Sequence, residues 1–589
     1  MTRSGEPASE PVPHALREYA FIADSRRGAL IGPRGDLAFM CAPAWHDDAV
    51  FSSLIGGRGC FTLAPTDPWF VWGGYYESNS LVFRSRWITG RGIVECREAM
   101  AAPGEAHRAI VLRRVQAMDA PTLLSMRLDP RASFGRASLR DLRVEKGVWE
   151  GRTGPLRIRF SGAPRATFDD KAGLLGQLRL RKGEHHDFVL EVSDAALPSE
   201  LPDPDELWEA TANMWSEVTG DTSASASPRD ASQAIAVLRG LTEEGGGMVA
   251  AATMSLPERA EEGRNYDYRY AWIRDQCYAG LAASTLGGHP LTADAVSFVA
   301  ARILEDGPGL KPAYKVDGSP VPDERRLAGL RGYPGGADKV GNWVNGQFQL
   351  DAYGEALQLF AAAARNEQLT SQGRNAIDVA VDSILAKWTK PDAGIWELAP
   401  DWWSHSRLEC VAGLRSVASP GLIVDPGRAA ELEALADKLL AEVARRCTHP
   451  SGRWQRSPKD DRVDAALVLP AVRGALPATD ARTVATYRAV SAELVQDDYT
   501  YRFRQDERPL HEAEGAFLLC GFMMSLASLQ QGDVVTAARH FERNRAGCGS
   551  SGLFSEEYDV NQRQLRGNVP QAFVHALLLE ASNRLGEAL

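Results

Sequence analysis

The sequence predicts a multidomain protein of mixed α and β class, with an N-terminal antiparallel β-sandwich followed by a large helical domain. Three observations carry this prediction. The 589 residues are too many for one hydrophobic core, so two or more domains are expected. Apolar and polar residues alternate in the first 200 or so residues, as they do in half-buried strands. Beyond residue 230, apolar residues recur at steps of three and four, as they do on one face of a helix.

Short segments of alternating or β-rich sequence characterise the first part. Five segments have this character: 109–115, 122–128, 156–160, 178–180 and 188–192. The first two flank a short stretch that ends in Pro121, which predicts strand, turn and strand. Because no long helical pattern interrupts these strands, we expect an antiparallel sandwich over residues 1–215.

A change of composition separates the two parts. Residues 218–228 are small and polar and predict a linker, which we assign to 216–230. In the domain expected over 231–589, one helical face is marked by Phe348, Ala352, Ala356, Phe360 and Ala363. Further helices are predicted over 429–446, 512–529, 534–545 and 570–585. Ordinary lengths give roughly ten to twelve helices, and periodicity alone does not choose between a closed ring and an irregular bundle.

Composition narrows the classes of function. The 66 basic and 77 acidic side chains give a net charge of −11, which repels phosphate backbones, so nucleic acid is not an expected partner. The sequence has no apolar run long enough to span a membrane, and residues 1–7 lack the apolar core of a secretion signal. The eight cysteines form no CxxC pair and the histidines lack metal-site spacing. We therefore expect a cytoplasmic protein without metal or organic cofactor.

Carboxyl groups beside aromatic residues are candidates for acid–base chemistry on a ligand with an apolar face. Residues 265–275 hold three tyrosines, Trp272, Arg274 and Asp275 just before a predicted helix. A capped helix with a structural ion pair explains this segment equally well. Glu397 follows Trp396 in a loop. A tryptophan can desolvate a carboxyl group and raise its pKa, which suits a general acid, although most such pairs lie in surface loops.

Two further segments belong to the same class. Glu556 and Glu557 precede Tyr558 between two predicted helices, where a solvated acidic loop is the plainer explanation. Arg502 lies among tyrosines and Phe503, where a guanidinium can stack, pair with a carboxylate or grip a ligand. Taken singly, these signals predict only a helical domain that could carry acid–base chemistry.

The order of the motifs adds more, because it resembles bacterial members of the glucoamylase family of glycoside hydrolases, family 15. The matching segments follow the family's order: 250–275, 330–333, 341–342, 349–355, 394–397, 405–406, 514–517, 555–559 and 567–573. Residues 18–24 and 29–37 also resemble the start of the bacterial members. The resemblance implies an N-terminal β-sandwich and an (α/α)6 barrel with a pocket at one end.

The resemblance also implies roles for individual residues. Glu397 would be the general acid and Glu556 the general base of an inverting, exo-acting enzyme that releases glucose from the non-reducing end of α-linked glucosides. Arg274 and Asp275 would hold hydroxyl groups of the terminal glucose, and Arg502 corresponds to a sugar-binding arginine of the family. The pocket wall would be formed by Trp272, Trp343 and Trp396.

The substrate stays open at this point. An α-1,4 or α-1,6 glucoside oligosaccharide or disaccharide and trehalose are all compatible with the family. Lys339 stands where the bacterial pattern usually has arginine, and the loop 335–346 differs from the usual sequence. An inverting disaccharide phosphorylase, which needs no carboxylate base, and a non-catalytic glucoamylase-like regulatory protein are the alternatives. The base motif at Glu556 argues against the first, and the intact carboxyl pair argues against the second.

Overall fold

Two antiparallel β-sheets form the N-terminal part of the molecule. The computed structural model describes residues 12–218, 220–259 and 263–589. Residues 1–11, which include the segment searched for a secretion signal, and Thr219 of the expected linker lie outside the described residues. The first sheet has the order β1-β2-β3-β5-β10-β15-β14 with β4 beside β3, and the second has the order β11-β12-β13-β16-β9-β8-β7-β6. The strands are β1 (Ala20–Ala23), β2 (Gly28–Ile31), β3 (Asp36–Cys41), β4 (Ala49–Phe51), β5 (Cys60–Pro65), β6 (Phe70–Tyr76), β7 (Phe83–Thr89), β8 (Ile93–Met100), β9 (Arg108–Ala117), β10 (Thr122–Asp129), β11 (Leu139–Glu145), β12 (Val148–Thr153), β13 (Leu156–Ser161), β14 (Thr167–Asp169), β15 (Gly173–Leu180) and β16 (His185–Ser193).

The sandwich predicted from the alternation is confirmed. All five segments expected as strands fall within β9, β10, β13, β15 and β16. The turn after β9 leads into the other sheet, because β9 pairs with β8 and β16 whereas β10 pairs with β5 and β15. Three phenylalanine rings meet between the two sheets: Phe61, Phe160 and Phe188. A short helical turn, α1 (Ala132–Gly135), and helix α2 (Pro204–Glu217) accompany the sandwich.

Eleven further helices of twelve or more residues occur in the described residues beyond 218, alternating between two layers. An outer layer holds α3 (Pro228–Leu241), α5 (Pro290–Asp306), α7 (Ser371–Lys387), α9 (Pro426–Cys447), α11 (Ala481–Glu493) and α14 (Val534–Arg545). An inner layer holds α4 (Ile273–Ser284), α6 (Asp351–Arg365), α8 (Ser404–Val417), α13 (Leu518–Gln530) and α15 (Ala572–Gly586). The inner helices are buried over nearly their whole surface, whereas α9 buries only a stripe at three- and four-residue steps.

The inner helices close into a ring. Helix α4 contacts α6, α6 contacts α8, and α13 contacts α15, which returns to α4. The position between α8 and α13 is filled by a 3-10 helix, Ala465–Val468, that continues into the short α10 (Leu469–Val472). With six inner and six outer positions, the domain is an (α/α)6 barrel, which decides the alternative that periodicity left open.

The helix expected over 512–529 is wrong at its N-terminal end. The chain forms a single turn, α12 (Leu510–Ala513), then extends through Glu514, and Ala516–Phe517 (β23) pairs with β24 (Glu557–Asp559). Helix α13 begins only at Leu518. The physical reason is the side chain of Glu514, which is buried and bound by Arg264 and Arg502. The remaining short hairpins are β17 (Ala271–Trp272) with β18 (Ala313–Tyr314), β19 (Arg325–Arg326) with β20 (Lys339–Val340), β21 (Val495–Gln496) with β22 (Tyr499–Thr500), and β24 with β25 (Gln564–Arg566).

The sandwich packs directly on the barrel. Strand β1 contacts α3, and Arg269, in the segment that leads into α4, donates to the carbonyl oxygens of Trp45 and Asp47 at 3.2 and 2.7 Å. In the described part of the expected linker, Ala226 N donates to Ser582 O at 2.8 Å, so the chain there lies against α15. The exact domain limits stay a prediction. No helix in the part of the chain that the structure describes is long and apolar enough to cross a membrane.

Candidate active site

A pocket of about 240 Å³ opens at the end of the barrel where the inner helices begin. Its lining comes from the segments that lead into α4, α6, α8, α13 and α15. It is lined by Glu258, Arg264, Tyr266, Tyr268, Arg274, Asn342, Trp343, Ile395, Trp396, Glu397, Leu398, Arg502, Phe503, Gln505, Glu556 and Phe573. The pocket thus brings together six of the eight residues that the sequence singled out. Trp272 and Asp275 lie outside this lining.

Glu397 projects into the pocket from a tight loop. Its backbone is in the left-handed region, with φ of 54°. Residues other than glycine adopt this conformation at an energetic cost, and such residues cluster at functional sites. Its N–H donates to Gly394 O at 3.1 Å, and Leu398 N donates to Ala393 O at 2.9 Å. Gly394 also has positive φ, and a Cβ there would lie 2.8 Å from the Trp403 ring. The loop therefore holds the Glu397 side chain in one direction.

Hydrogen-bond donors surround the Glu397 carboxyl group. Trp272 Nε1 donates to its Oε1 at 2.7 Å, and Gln347 Nε2 donates to its Oε2 at 3.4 Å. Arg274 Nη1 lies 3.6 Å from Oε1. The tryptophan that hydrogen-bonds the carboxyl group is therefore Trp272, which is only 1% exposed and lies beneath the pocket wall.

Arg274 and Asp275 form a pair at the start of α4. Arg274 Nε donates to Asp275 Oδ1 at 3.0 Å and Nη1 donates to Ile395 O at 2.9 Å, while its guanidinium lies 5.6 Å from the Phe573 ring centre. Arg274 reaches the pocket, but Asp275 is 1% exposed and lies behind it. Burial raises the pKa of Asp275 to about 6 against the opposing effect of Arg274. The second Asp275 oxygen has no hydrogen-bond partner among the described residues.

Glu556 lines the same pocket as Glu397. Its carbonyl oxygen accepts from Leu518 N at 3.1 Å, which ties the residue to the start of α13. Its Oε2 lies 3.2 Å from the Tyr268 hydroxyl, which also lies 3.1 Å from Glu258 Oε1. Burial first, and the charge of Glu258 second, raise the pKa of Glu556 well above its usual value, while Arg502 opposes the shift.

A network of charged side chains that begins in the pocket lining was not anticipated from the sequence. Arg264 donates to Glu258 at 2.8 Å, to Glu557 at 2.7 Å and to Glu514 at 3.1 Å. Arg502 binds Glu514 as well. Glu258 and Tyr268 were visible only as members of a matching motif, and no spacing rule could have linked them to Glu556 some 300 residues later.

Aromatic rings complete the pocket. Trp396 forms part of the wall, where its Nε1 donates to Asp464 at 2.9 Å. Trp343 is 48% exposed and stands at the mouth. Arg502 lies over the Phe517 ring at 4.6 Å and the Trp396 ring at 5.6 Å. Such faces suit an apolar surface of a ligand with polar edges.

The divergent loop 335–346 borders this pocket. Lys339 Nζ pairs with Glu324 at 3.3 Å and lies 5.6 Å from the centre of the Tyr266 ring. Asn342 Nδ2 donates to Asp267 O at 3.3 Å. In the described ranges, no group of His, Cys, Asp and Glu side chains is arranged to hold a metal ion.

Two family profiles match this architecture. Residues 231–583 match the profile of glycosyl hydrolases family 15, and residues 10–194 match a trehalase-like N-terminal domain. The chain belongs to glycosyl hydrolase family 15. It is therefore a glycoside hydrolase, and the two profiles correspond to the barrel and the sandwich.

Individual relatives agree with the family assignment. The trehalase of Mycolicibacterium smegmatis is 28% identical, over 97% of this chain and 93% of the relative. The isomaltose glucohydrolase of Kribbella flavida is 27% identical, over 58% of this chain and 82% of the relative. The crystal structure of a bacterial glucoamylase complexed with acarbose superimposes with a TM-score of 0.71 at 13% identity, over 99% of this chain and 96% of that one. At that identity the structural match supports the fold alone.

Proposed function

We propose that this family 15 enzyme hydrolyses an α-glucoside with inversion and releases one glucose unit, with Glu397 as general acid and Glu556 as general base. One observation carries the proposal: both carboxyl groups line the same small pocket, although 159 residues (556 − 397) separate them in the sequence. Two carboxyl groups that face one substrate are the machinery that inverting glycosidases need.

In the proposed reaction, Glu397 gives its proton to the glycosidic oxygen as the bond from the anomeric carbon to that oxygen breaks. A water molecule attacks the anomeric carbon from the opposite face, and Glu556 takes the proton that the water loses. Glu397 becomes a carboxylate, which the Trp272 N–H and the Arg274 guanidinium stabilise at 2.7 and 3.6 Å. The glucose whose anomeric carbon is attacked leaves as the β-anomer, and the sugar that receives the proton from Glu397 leaves with its own configuration unchanged, which for trehalose is α.

Trehalose is the first candidate substrate. The similarity to the M. smegmatis trehalase covers 97% of this chain, including the sandwich, and the N-terminal profile is trehalase-like. The pocket volume of about 240 Å³ is slightly below the roughly 300 Å³ at which the usual range for small-molecule sites begins, which favours a short substrate over a long glucan. These observations favour trehalose over the α-1,4 and α-1,6 glucosides, which are also compatible with the family.

A short α-1,6 or α-1,4 glucoside is the second candidate. The observation in its favour is the isomaltose glucohydrolase of K. flavida, which has nearly the same identity over 58% of this chain. Arg274, which would hold hydroxyl groups of the terminal glucose together with Asp275 behind it, serves any of these substrates. The leaving sugar would contact Trp343 and the loop 335–346, where the substrates differ.

The test is glucose release from trehalose, isomaltose, maltose and maltotriose, with proton NMR following the first anomer formed. Early β-glucose from trehalose supports the proposal in full, and early β-glucose from another sugar supports the reaction but changes the substrate. Inverting cleavage of trehalose should give one β-glucose and one α-glucose per bond, because the leaving sugar keeps its α configuration, so early α-glucose without β-glucose would contradict inversion. Sugar cleavage that requires inorganic phosphate would favour a phosphorylase, and binding without turnover would favour a regulatory protein.

A further inference from the structure

Glu258 shares a phenol with the proposed base. The Tyr268 hydroxyl lies 3.1 Å from Glu258 Oε1 and 3.2 Å from Glu556 Oε2. A phenol hydroxyl has one proton, which it can donate to one carboxyl group. It can accept a hydrogen bond from the other carboxyl group only if that group is protonated. All three groups are therefore satisfied together when the two carboxyl groups hold one proton between them.

The surroundings indicate which carboxyl group holds that proton. Glu258 is 5% exposed, and its Oε2 accepts from Arg264 at 2.8 Å, which favours the carboxylate. The charged and titratable groups that act on Glu556 are Glu258, Arg502, Tyr266, Tyr268, and Glu557 on its own segment, with Arg264 and Glu514 next to them. Burial and the Glu258 charge outweigh Arg502 and raise the pKa of Glu556. When the pair holds one proton, that proton therefore resides on Glu556, and Glu556 can act as a base from the state in which the pair holds none.

We propose that Glu258 is a positioning residue for the reaction, which acts through Tyr268 to orient the Glu556 carboxyl group and to strengthen it as a proton acceptor. The inference rests on the proposed function, in which Glu556 takes a proton from water. In that step a water O–H bond breaks, the water oxygen bonds to the anomeric carbon, and an O–H bond forms on Glu556. The new acid donates to Tyr268, and Tyr268 donates to the Glu258 carboxylate.

Neutralising Arg264 does not account for Glu258. Arg264 also binds Glu514 and Glu557, at 3.1 and 2.7 Å, so two other carboxyl groups already balance it. Glu258 is the member of this set that lines the pocket and hydrogen-bonds Tyr268. Its position therefore serves the Glu556 side of the pocket.

Glu258→Gln tests the inference, because it keeps the shape and removes the charge. We expect kcat to fall about 10-fold, less than the 10²- to 10⁴-fold typical of losing the general base itself, with KM nearly unchanged. The acid limb of the pH profile of kcat/KM should move to lower pH, since Glu556 loses the carboxylate that favours its protonated form. Tyr268→Phe should move the limb in the same direction. An unchanged acid limb would overturn the inference, as would a higher KM with unchanged kcat, which would make Glu258 a sugar ligand.

Glu77→Gln is the matched control, because Glu77 pairs with Arg84 and Arg97 in the sandwich. The acid limb of this variant's pH profile should equal that of the wild type.

Failure of the proposed function would be seen separately, as wild-type protein that cleaves no α-glucoside. In that case the pH dependence of the free energy of unfolding still tests the inference. A carboxyl group whose pKa is raised on folding stabilises at low pH, and this stability is lost as the pH rises through the folded pKa. The free energy of unfolding of Glu258→Gln should therefore fall less than that of the wild type as the pH rises through this range. Identical pH profiles of the two proteins would overturn the inference.

Discussion

Glu397 and Glu556 line the same pocket but have opposite kinds of neighbour. Glu397 faces donors, the Trp272 N–H, the Gln347 amide and the Arg274 guanidinium. Glu556 faces a phenol that it shares with a second carboxyl group. Donors favour a carboxylate, whereas a neighbouring carboxylate favours a neutral acid.

This difference has a direction. In the proposed reaction Glu397 ends as a carboxylate and Glu556 ends as an acid, so each neighbourhood stabilises the state reached after proton transfer. Groups that bind the later state more strongly than the starting state lower the barrier between them. The two carboxyl groups are therefore in electrostatically different surroundings, although they are the same type of side chain.

The largest expected effect is on kcat, and a substrate whose leaving group needs no proton should distinguish Glu397 from Glu556. Glu397→Gln and Glu556→Gln should each lower kcat on trehalose by about 10²- to 10⁴-fold. On α-glucosyl fluoride, whose fluoride leaves without a proton, Glu397→Gln should recover most of the wild-type rate, whereas Glu556→Gln should not. Recovery by Glu556→Gln instead would exchange the two proposed roles. Steady-state rates of glucose release decide between these outcomes.

Arg264 supports the Glu556 side, and its removal should cost stability. It is 17% exposed and binds Glu258, Glu514 and Glu557. Arg264→Met leaves buried carboxylates without this partner, which should lower the free energy of unfolding by about 3–5 kcal/mol. Burial already raises the pKa of Glu557 to about 7 against the effect of Arg264. The loss should therefore be larger above pH 7, where Glu557 is ionised, than at pH 5.

Urea unfolding at the two pH values measures this effect. Arg113→Met is the comparison, because Arg113 is buried in the sandwich and bound to the single carboxyl group of Glu98. A loss for Arg264→Met that does not change with pH would mean that packing, and not charge, explains the role of Arg264.

Trp272 supports the Glu397 side through one hydrogen bond. Trp272→Phe keeps a buried ring but removes the donor 2.7 Å from Glu397 Oε1. A hydrogen bond to a charged group contributes enough for a roughly 10-fold loss of kcat. Trp215→Phe is the control, since the Trp215 indole is equally buried and its N–H has no partner among the described residues. Equal rates for the wild type and Trp272→Phe would show that this donor does not act in the reaction.

The sequence and the structure agree best where the signal is periodic or local. Alternation predicted five of the sixteen strands described in the sandwich, and three- and four-residue steps predicted helices at five places in the barrel, because each face meets its partner in a regular layer. The helix over 512–529 began too early because Glu514 has long-range partners, Arg264 and Arg502, that override its local preference. The closure of the barrel came from the family resemblance, since no periodicity encodes it.

The candidate site shows the same limit. Glu397 and Glu556 were found through ordered motifs, but a motif does not say which side chain faces the ligand. Trp272 was expected in the wall and lies beneath it, where it donates to Glu397. The contacts that connect Glu258 and Arg264 to the site are those with Tyr268, Glu514 and Glu557, which the fold brings near them. Such contacts between distant segments leave no spacing signal in one sequence.

Substitution of Lys339 has the smallest expected effect on catalysis and tests whether this side chain contributes to the choice of substrate. Its ammonium group is partly exposed, pairs with Glu324 and lies over the Tyr266 ring. Lys339→Arg should change KM by about two- to threefold with little change in kcat, because a partly exposed pair contributes little and Lys339 lies outside the pocket lining. The ratio of kcat/KM for trehalose and isomaltose measures the outcome. A change of this ratio by an order of magnitude would contradict the expectation and would make Lys339 itself a determinant of the leaving sugar.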